Sequence, residues 1–298
     1  MTKGPRLTCC LTFDFDAMSA WIGSFKSDNL SMISHGEFGA VVGLPRILDL
    51  LEKRGIRATI CVPGLTACAY PTLVKHIHEQ GHELVHHGWI HENPADFDRD
   101  GEKNNLERGL EALDRTAGVR PKGYCSPAWD FSRNTIDLLL EYGFLYDSSC
   151  MGNDFYLYYL RNGDEWSTTG PYAFGETCEL VEVPVTWGLD NFPAFEYVPG
   201  WNAGLGPPSA VEEIWKQDFD YPLANRPGGV YDLTMPPQVI GRGHRMLMLE
   251  RLIDYFEGRE DVVFETLGEY VQRWKADNPL EGWKIADPLY AGDTARPA

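Results

Sequence analysis

Short apolar, β-branched or aromatic runs alternate along this chain with segments whose apolar residues recur at helical spacing. The short runs, at 6–16, 58–62, 83–87, 123–126, 145–147, 180–185, 230–235 and 262–264, predict eight strands. Helices are predicted between them. In "LPRILDLLEKRG", Pro45 suits a first helical position and Gly55 a C-terminal stop. In "LERGLEALDRTAG", Leu106, Leu110 and Leu113 share one face and Gly118 ends the run. Ser209 with Glu212, and Thr266 with Glu269, have the spacing of a capping box. The alternation points to an α/β protein, a β/α barrel of irregular form, with a doubly wound open sheet as the alternative. Two stretches, 151–179 and 188–208, are long connections of the kind that carry function or an interface. No repeat of 20–50 residues is present. Residues beyond Asn278 read as a loosely packed tail.

Composition narrows the class. With 298 residues, 43% of them hydrophobic and 12% aromatic, the chain can bury a core of enzyme size. A net charge of −18 argues against nucleic acid or an anionic membrane surface as partner, since both require local positive potential. The first residues, "MTKGPRLTCC", lack a secretory signal, and no run of about 18 apolar residues occurs, so a soluble cytoplasmic protein is expected. Seven cysteines without a CxxC pair are expected to be reduced thiols.

Candidate chemistry begins with "LTFDFD" (Leu11 to Asp16). Strand alternation sets Thr12, Asp14 and Asp16 on one face, with the two carboxylates roughly 6–7 Å apart. Two carboxylates buried together need compensation by a metal, a basic side chain or a shared proton. The second element is "HELVHHGWIHENP", where His87 ends a strand and His91 follows four residues later. On a helical turn that spacing presents both imidazoles to one divalent cation. Two histidines and one carboxylate leave coordination positions open for water and substrate, as a hydrolytic metal site requires, and a second carboxylate nearby can take a proton. Asp14, Asp16, His87, "SPAWD", "PVTW" and "TMPP" all fall at C-terminal ends of predicted strands, the face on which barrels assemble their sites.

The stretches "TFDFD", "HHGWIHENP", "GYCSPAWDFS" and "VPVTW" resemble the polysaccharide deacetylase (NodB-homology, carbohydrate esterase family 4-like) superfamily, from about Leu7 to Trp274. "YDSSCMGNDFYLYYLRNGDEW" and "PPQVIGRGHRMLMLERLI" resemble its cytoplasmic branch of peptidoglycan-deacetylase-like proteins, cyclic imide hydrolases and metal-independent allantoinases. The resemblance implies a distorted (β/α) barrel as a single domain over 1–278, with 279–298 a tail. It implies metal-dependent hydrolysis of a non-peptide C–N bond in a small acylated amide or cyclic imide. By position, Asp14 matches the family's catalytic base, and Asp16, His87 and His91 match its ligands for one divalent cation, with zinc as the first expectation. Trp129 and Trp187 are expected to line the substrate pocket and Asp130 to stand at its rim. A homo-oligomer, dimer or tetramer, is expected from the habit of the branch and from the aromatic stretch "NDFYLYYLRNGDEW".

Two positions depart from the pattern. Cys125 stands where many relatives carry an arginine that orients the catalytic aspartate, and Pro236 stands where relatives carry a histidine acting as general acid. Proline has no proton to give. His244, in "GRGHR", and His86, beside His87, are the candidate substitute acids. The alternatives to a hydrolase are therefore a catalytically impaired relative serving as a binding or assembly protein, and a barrel enzyme with altered metal-assisted chemistry.

Overall fold

In the computed structural model, which describes residues 6–283, each of the eight short runs contributes a strand and a ninth forms within the expected connection 151–179. The strands are β1 (Leu7–Asp14), β2 (Thr59–Val62), β3 (Glu83–His86), β4 (Gly123–Tyr124), β5 (Tyr146–Asp147), β6 (Tyr158–Asn162), β7 (Glu176–Glu182), β8 (Gly229–Thr234) and β9 (Val262–Phe264). The sheet runs β6-β7-β5-β4-β3-β2-β1-β8. One edge of β1 pairs with β8, and the other pairs with β9 near its start and with β2 near its end. Every pairing is parallel except that of β6 with β7. No strand pairing joins β6 to β8, but the Val230 amide donates to the Phe155 carbonyl at 2.8 Å across that opening. The result is a curled, distorted barrel and not the open doubly wound sheet.

Alternation along β1 sorts its side chains. Leu7, Cys9, Leu11 and Phe13 pack into the core beneath the helices, whereas Cys10 belongs to a separate cluster inside the curl with Cys61, Val85, Cys125 and Tyr146. Thr12 and Asp14 share the Cys10 face. Helix Leu267–Asp277 seals one mouth of the curl: the Leu267 amide donates to Thr59 Oγ1, and the Gly268 amide to Glu83 Oε2. Thr59 and Glu83 are the first residues of their strands, so the sealed mouth is the N-terminal one.

Helix Leu44–Arg54 carries Pro45 in its first turn and ends on Gly55 at φ 65°, as expected. Helix Arg99–Ala117 buries Leu106, Leu110 and Leu113 and ends on Gly118 at φ 68°. The Thr266 capping box forms. The Ser209 box does not: helix Pro208–Asn225 begins before Ser209, because consecutive prolines preset the helical entry, and Glu212 instead binds Lys216 and Arg251. The expected connection 151–179 also differs. It contains β6 and the first half of β7, joined antiparallel, and Phe155, Leu157, Tyr159 and Leu160 are buried in the chain's own core. Of the expected tail, Trp283 packs against Tyr159 and Trp274, and the residues after it lie outside those described. All seven cysteines are free thiols.

Candidate metal centre

β1 stops at Asp14, two residues earlier than the sequence pattern suggests. The Asp16 amide folds back onto the Asp14 carbonyl at 2.9 Å, and Ala17 follows at φ 47°. The two carboxylates therefore diverge from a tight turn instead of sitting two residues apart on a flat strand. Asp16 is fixed by Gln238, whose Nε2 donates to Oδ2 at 3.2 Å, and by Thr66, whose hydroxyl donates to its carbonyl.

His87 and His91 do not occupy a helical turn either. Gly88 at φ 71° and His91 at φ 61° reverse the chain, and the Glu92 carboxylate closes the bend by accepting from the amides of Trp89 and Ile90. A left-handed φ at histidine costs of order 1–3 kcal/mol and persists only where the surroundings impose it. Here the bend brings the imidazole rings to 4.8 Å between centroids, nearly perpendicular at 76°. Asp16 Oδ1 lies 3.4 Å from His87 Nε2 and 3.7 Å from His91 Nε2.

Both histidines are oriented through their other nitrogens. His87 Nδ1 lies 2.6 Å from the Cys125 carbonyl, which can only accept, so Nδ1 carries a proton; against burial, Cys125, Asp14 and Asp16 hold the metal-free imidazole well above its usual range, and Nε2 is the nitrogen left to give a lone pair to a cation. His91 Nδ1 lies 2.6 Å from Ser24 Oγ, and that hydroxyl also lies 2.7 Å from the His91 carbonyl. The single hydroxyl proton goes to the carbonyl, so Ser24 accepts from Nδ1–H and His91 Nε2 is left bare. This carbonyl- and hydroxyl-backed arrangement is typical of histidines that ligate metals.

The donor set fits a divalent cation. Asp16 Oδ1 and His87 Nε2 are both buried and neither has a hydrogen-bond partner, a costly state for polar atoms that a shared cation relieves. Two imidazole nitrogens and one carboxylate oxygen suit zinc, cobalt, nickel or manganese. Burial opposes ionisation of Asp16, but His91, His87 and Gln238 hold its carboxyl below the usual carboxylate range. Burial pulls His91 down to about 4, against the attraction of Asp16. Asp14 Oδ1 is also unpartnered. Burial pushes Asp14 up to about 6, with His87 drawing it down and Asp16 raising it further. Cys61 and Cys125 flank Asp14, the three donor atoms lying within 4.8 Å of one another. Burial, with Cys125 and Asp14 beside it, raises the Cys61 thiol well above its usual range, so it stays protonated.

These groups open into a cavity of about 320 Å³ at the C-terminal mouth. Its walls include Phe25, Trp129, Trp187, Phe192, Trp201 and Pro236. Trp129 is buried and Trp187 half exposed, with ring centroids 4.5 Å apart. Asp130 does not line the cavity; its carboxylate accepts from the Asn93 amide outside it. His86 does not line it either. It points away from His87, with Nε2 bonded to the Leu106 carbonyl and Nδ1 accepting from the Gly88 amide, and burial pulls it down to about 4. His244 is exposed in the first turn of helix Gly243–Glu257, clear of the cavity. Neither histidine lines the cavity beside Pro236. The sequence reading missed Ser24, Gln238 and Asp190. Asp190 was detectable as an acid followed by "NFP", an N-cap signal just beyond a strand end.

The polysaccharide deacetylase family model matches residues 37–146. A peptidoglycan deacetylase of Helicobacter pylori is 34% identical over 279 residues, 89% of this chain and 95% of that protein. Among solved structures, a Mycobacterium smegmatis protein described as a polysaccharide deacetylase superposes with a TM-score of 0.83 at 33% identity, over 93% of each chain. An allantoinase shares the fold, with a TM-score of 0.78 at 23% identity and 92% coverage of each chain.

Proposed function

The chain belongs to the polysaccharide deacetylase family, and on that premise we propose that it is a metal-dependent hydrolase of non-peptide C–N bonds in small acylated amides or cyclic imides. Deacetylase members of this family are hydrolases acting on C–N bonds. The observation that carries the reading is the convergence of Asp16 Oδ1, His87 Nε2 and His91 Nε2, two of them buried without partners, beside Asp14, whose Oδ1 is also buried without a partner. A bound divalent cation, zinc in the first instance, supplies Lewis-acid polarisation of a carbonyl and of water.

The chain's own residues do the rest. Asp14, raised to about 6, is basic enough to take a proton from water during attack. Trp129, Trp187, Phe25 and Phe192 offer flat apolar walls suited to a compact acyl or ring substrate, and 320 Å³ is a small-molecule volume. The net charge of −18 suits a small neutral substrate; among the described residues no helix is long and apolar enough to cross a membrane. Pro236 in the cavity wall favours a second reading, a binding protein that retains the metal but turns nothing over. Incubating the zinc- and cobalt-loaded protein with glutarimide, N-acetylglucosamine and acetanilides, and following product by mass spectrometry, separates the two. Hydrolysis of any of them supports the enzyme, and metal loading without turnover favours the binding protein.

A further inference from the structure

Breaking an unactivated amide expels a strongly basic nitrogen, which leaves only if a proton reaches it. Each polar group in the cavity can be assessed for that task. Asp16, His87 and His91 form the metal-ligand set, and Asp14 faces the water side. The Ser24 proton is committed to the His91 carbonyl, and the Ser126 hydroxyl donates to the Asp130 carbonyl. The Asn202 amide is turned onto the carbonyls of Phe192, Pro193 and Glu196. Pro236 has nothing to donate. One titratable cavity residue is left, Asp190.

Its placement is rigid. Asp190 pairs through its backbone with Thr234, the last residue of β8, so it stands beside the strand end that leads into Pro236. Oδ1 accepts from the Phe192 amide at 2.7 Å and caps the short helix Asn191–Phe195. The second oxygen makes no hydrogen bond and, unlike that of Asp14, is not sealed in protein, so it opens to the cavity that Asp190 lines.

Resting on the hydrolase reading above, we propose that Asp190 is the catalytic acid of this site, delivering its carboxyl proton to the departing nitrogen. Burial, opposed by the Phe192 amide and reinforced by Asp14, raises the Asp190 carboxyl well above the usual range. In the balanced step, water oxygen bonds to the carbonyl carbon while its proton passes to Asp14. The C–N bond then breaks with its electron pair on nitrogen, and nitrogen takes the Asp190 proton. Return of the Asp14 proton to Asp190, directly or through solvent, restores the site, so one water is consumed for each amide cleaved.

Asp190→Asn tests this cleanly because asparagine caps a helix as well as aspartate does. Two measurements are made on the zinc-loaded protein. Infrared spectroscopy with carboxyl-labelled aspartate, read as the difference between wild type and variant, is expected to show one protonated-acid carbonyl band lost in the variant, while the bands of the raised Asp147 and Asp232 persist in both; identical spectra overturn the proposal. Hydrolysis of ring-substituted acetanilides is the second. The variant is expected to lose about 10²–10⁴-fold on the most basic anilines and progressively less as the leaving aniline becomes more acidic. A uniform loss across the series, or none, overturns the proposal. If the wild type hydrolyses no acetanilide, the hydrolase reading loses support on these substrates, while the infrared band still decides the protonation of Asp190.

Discussion

Ser24→Ala removes a single oxygen atom that secures His91 twice. In the folded chain, Ser24 Oγ lies 2.6 Å from His91 Nδ1 and 2.7 Å from the His91 carbonyl, and it holds a residue whose φ of 61° is left-handed. Without it, the imidazole loses the partner that keeps its proton on Nδ1, and the backbone loses a brace against relaxing. Partners of this kind typically contribute about 10–100-fold to metal affinity, which corresponds to about 1.4–2.8 kcal/mol. Ser24 is only partly buried and its loss opens little apolar surface, so the stability of the metal-free protein changes by much less. Competition of wild type and variant with a chromogenic chelator for zinc measures the affinity, and thermal melts of both metal-free proteins control for folding. An unchanged affinity would refute the argument that Ser24 sets the His91 tautomer and orientation.

Other consequences follow from particular contacts. Asp14→Asn should keep the metal and lower hydrolysis about 10²–10⁴-fold, measured as kcat/KM beside metal content; equal loss of metal would contradict the separation of Asp14 from the ligand set. Asp147 and Glu182 lie side by side with Asp147 Oδ2 and Glu182 Oε2 unpartnered, and burial pushes Asp147 up to about 7 and Glu182 well above its usual range, so the pair keeps protons that the unfolded chain has lost. A raised carboxyl stabilises the fold fully below its unfolded value near 4 and loses that contribution as pH rises to about 7. The slope is at most about 1.4 kcal/mol per pH unit. Glu182→Gln, which keeps an acceptor for the Ser149 and Cys150 amides, removes one of the two raised carboxyls and should flatten the fall in denaturant stability across that window, whereas an unchanged slope would reject the raised Glu182. Gly109→Ala places a Cβ 2.2 Å from His86 Nε2 and 2.9 Å from the Gly88 carbonyl, so stability should drop by about 1–3 kcal/mol in urea melts. A neutral result there would mean that His86 has room to swing away.

Much of this was legible in the sequence where one local rule acts alone. The two-residue alternation of β1 and the spacing of Leu106, Leu110 and Leu113 sort buried from exposed faces directly, and both appear as read. The legible part of the site was its set of strand-end residues, because Asp16, His87 and His91 sit just beyond strands that periodicity locates. Less was legible where conformation is set by distant partners. The bend at Gly88–His91 depends on the Glu92 carboxylate and Ser24, not on helical spacing. His86 and His87 are neighbours in sequence, yet they point to opposite sides of β3's end and have unrelated environments. β6 lacks a polar–apolar alternation of its own and exists because β7 offers an edge to pair with. Asp190 looked like an ordinary helix cap, and only the folded cavity shows what its free oxygen faces.

The account stands on three side chains sharing one cation, and elemental mass spectrometry of the purified protein with its Asp16→Ala and His87→Ala variants tests that most directly. After incubation with zinc or cobalt and desalting, the account predicts about one divalent ion per wild-type chain and near-complete loss in both variants, each of which removes one of the three ligands. A wild type that retains no metal, or variants that retain it fully, would contradict it.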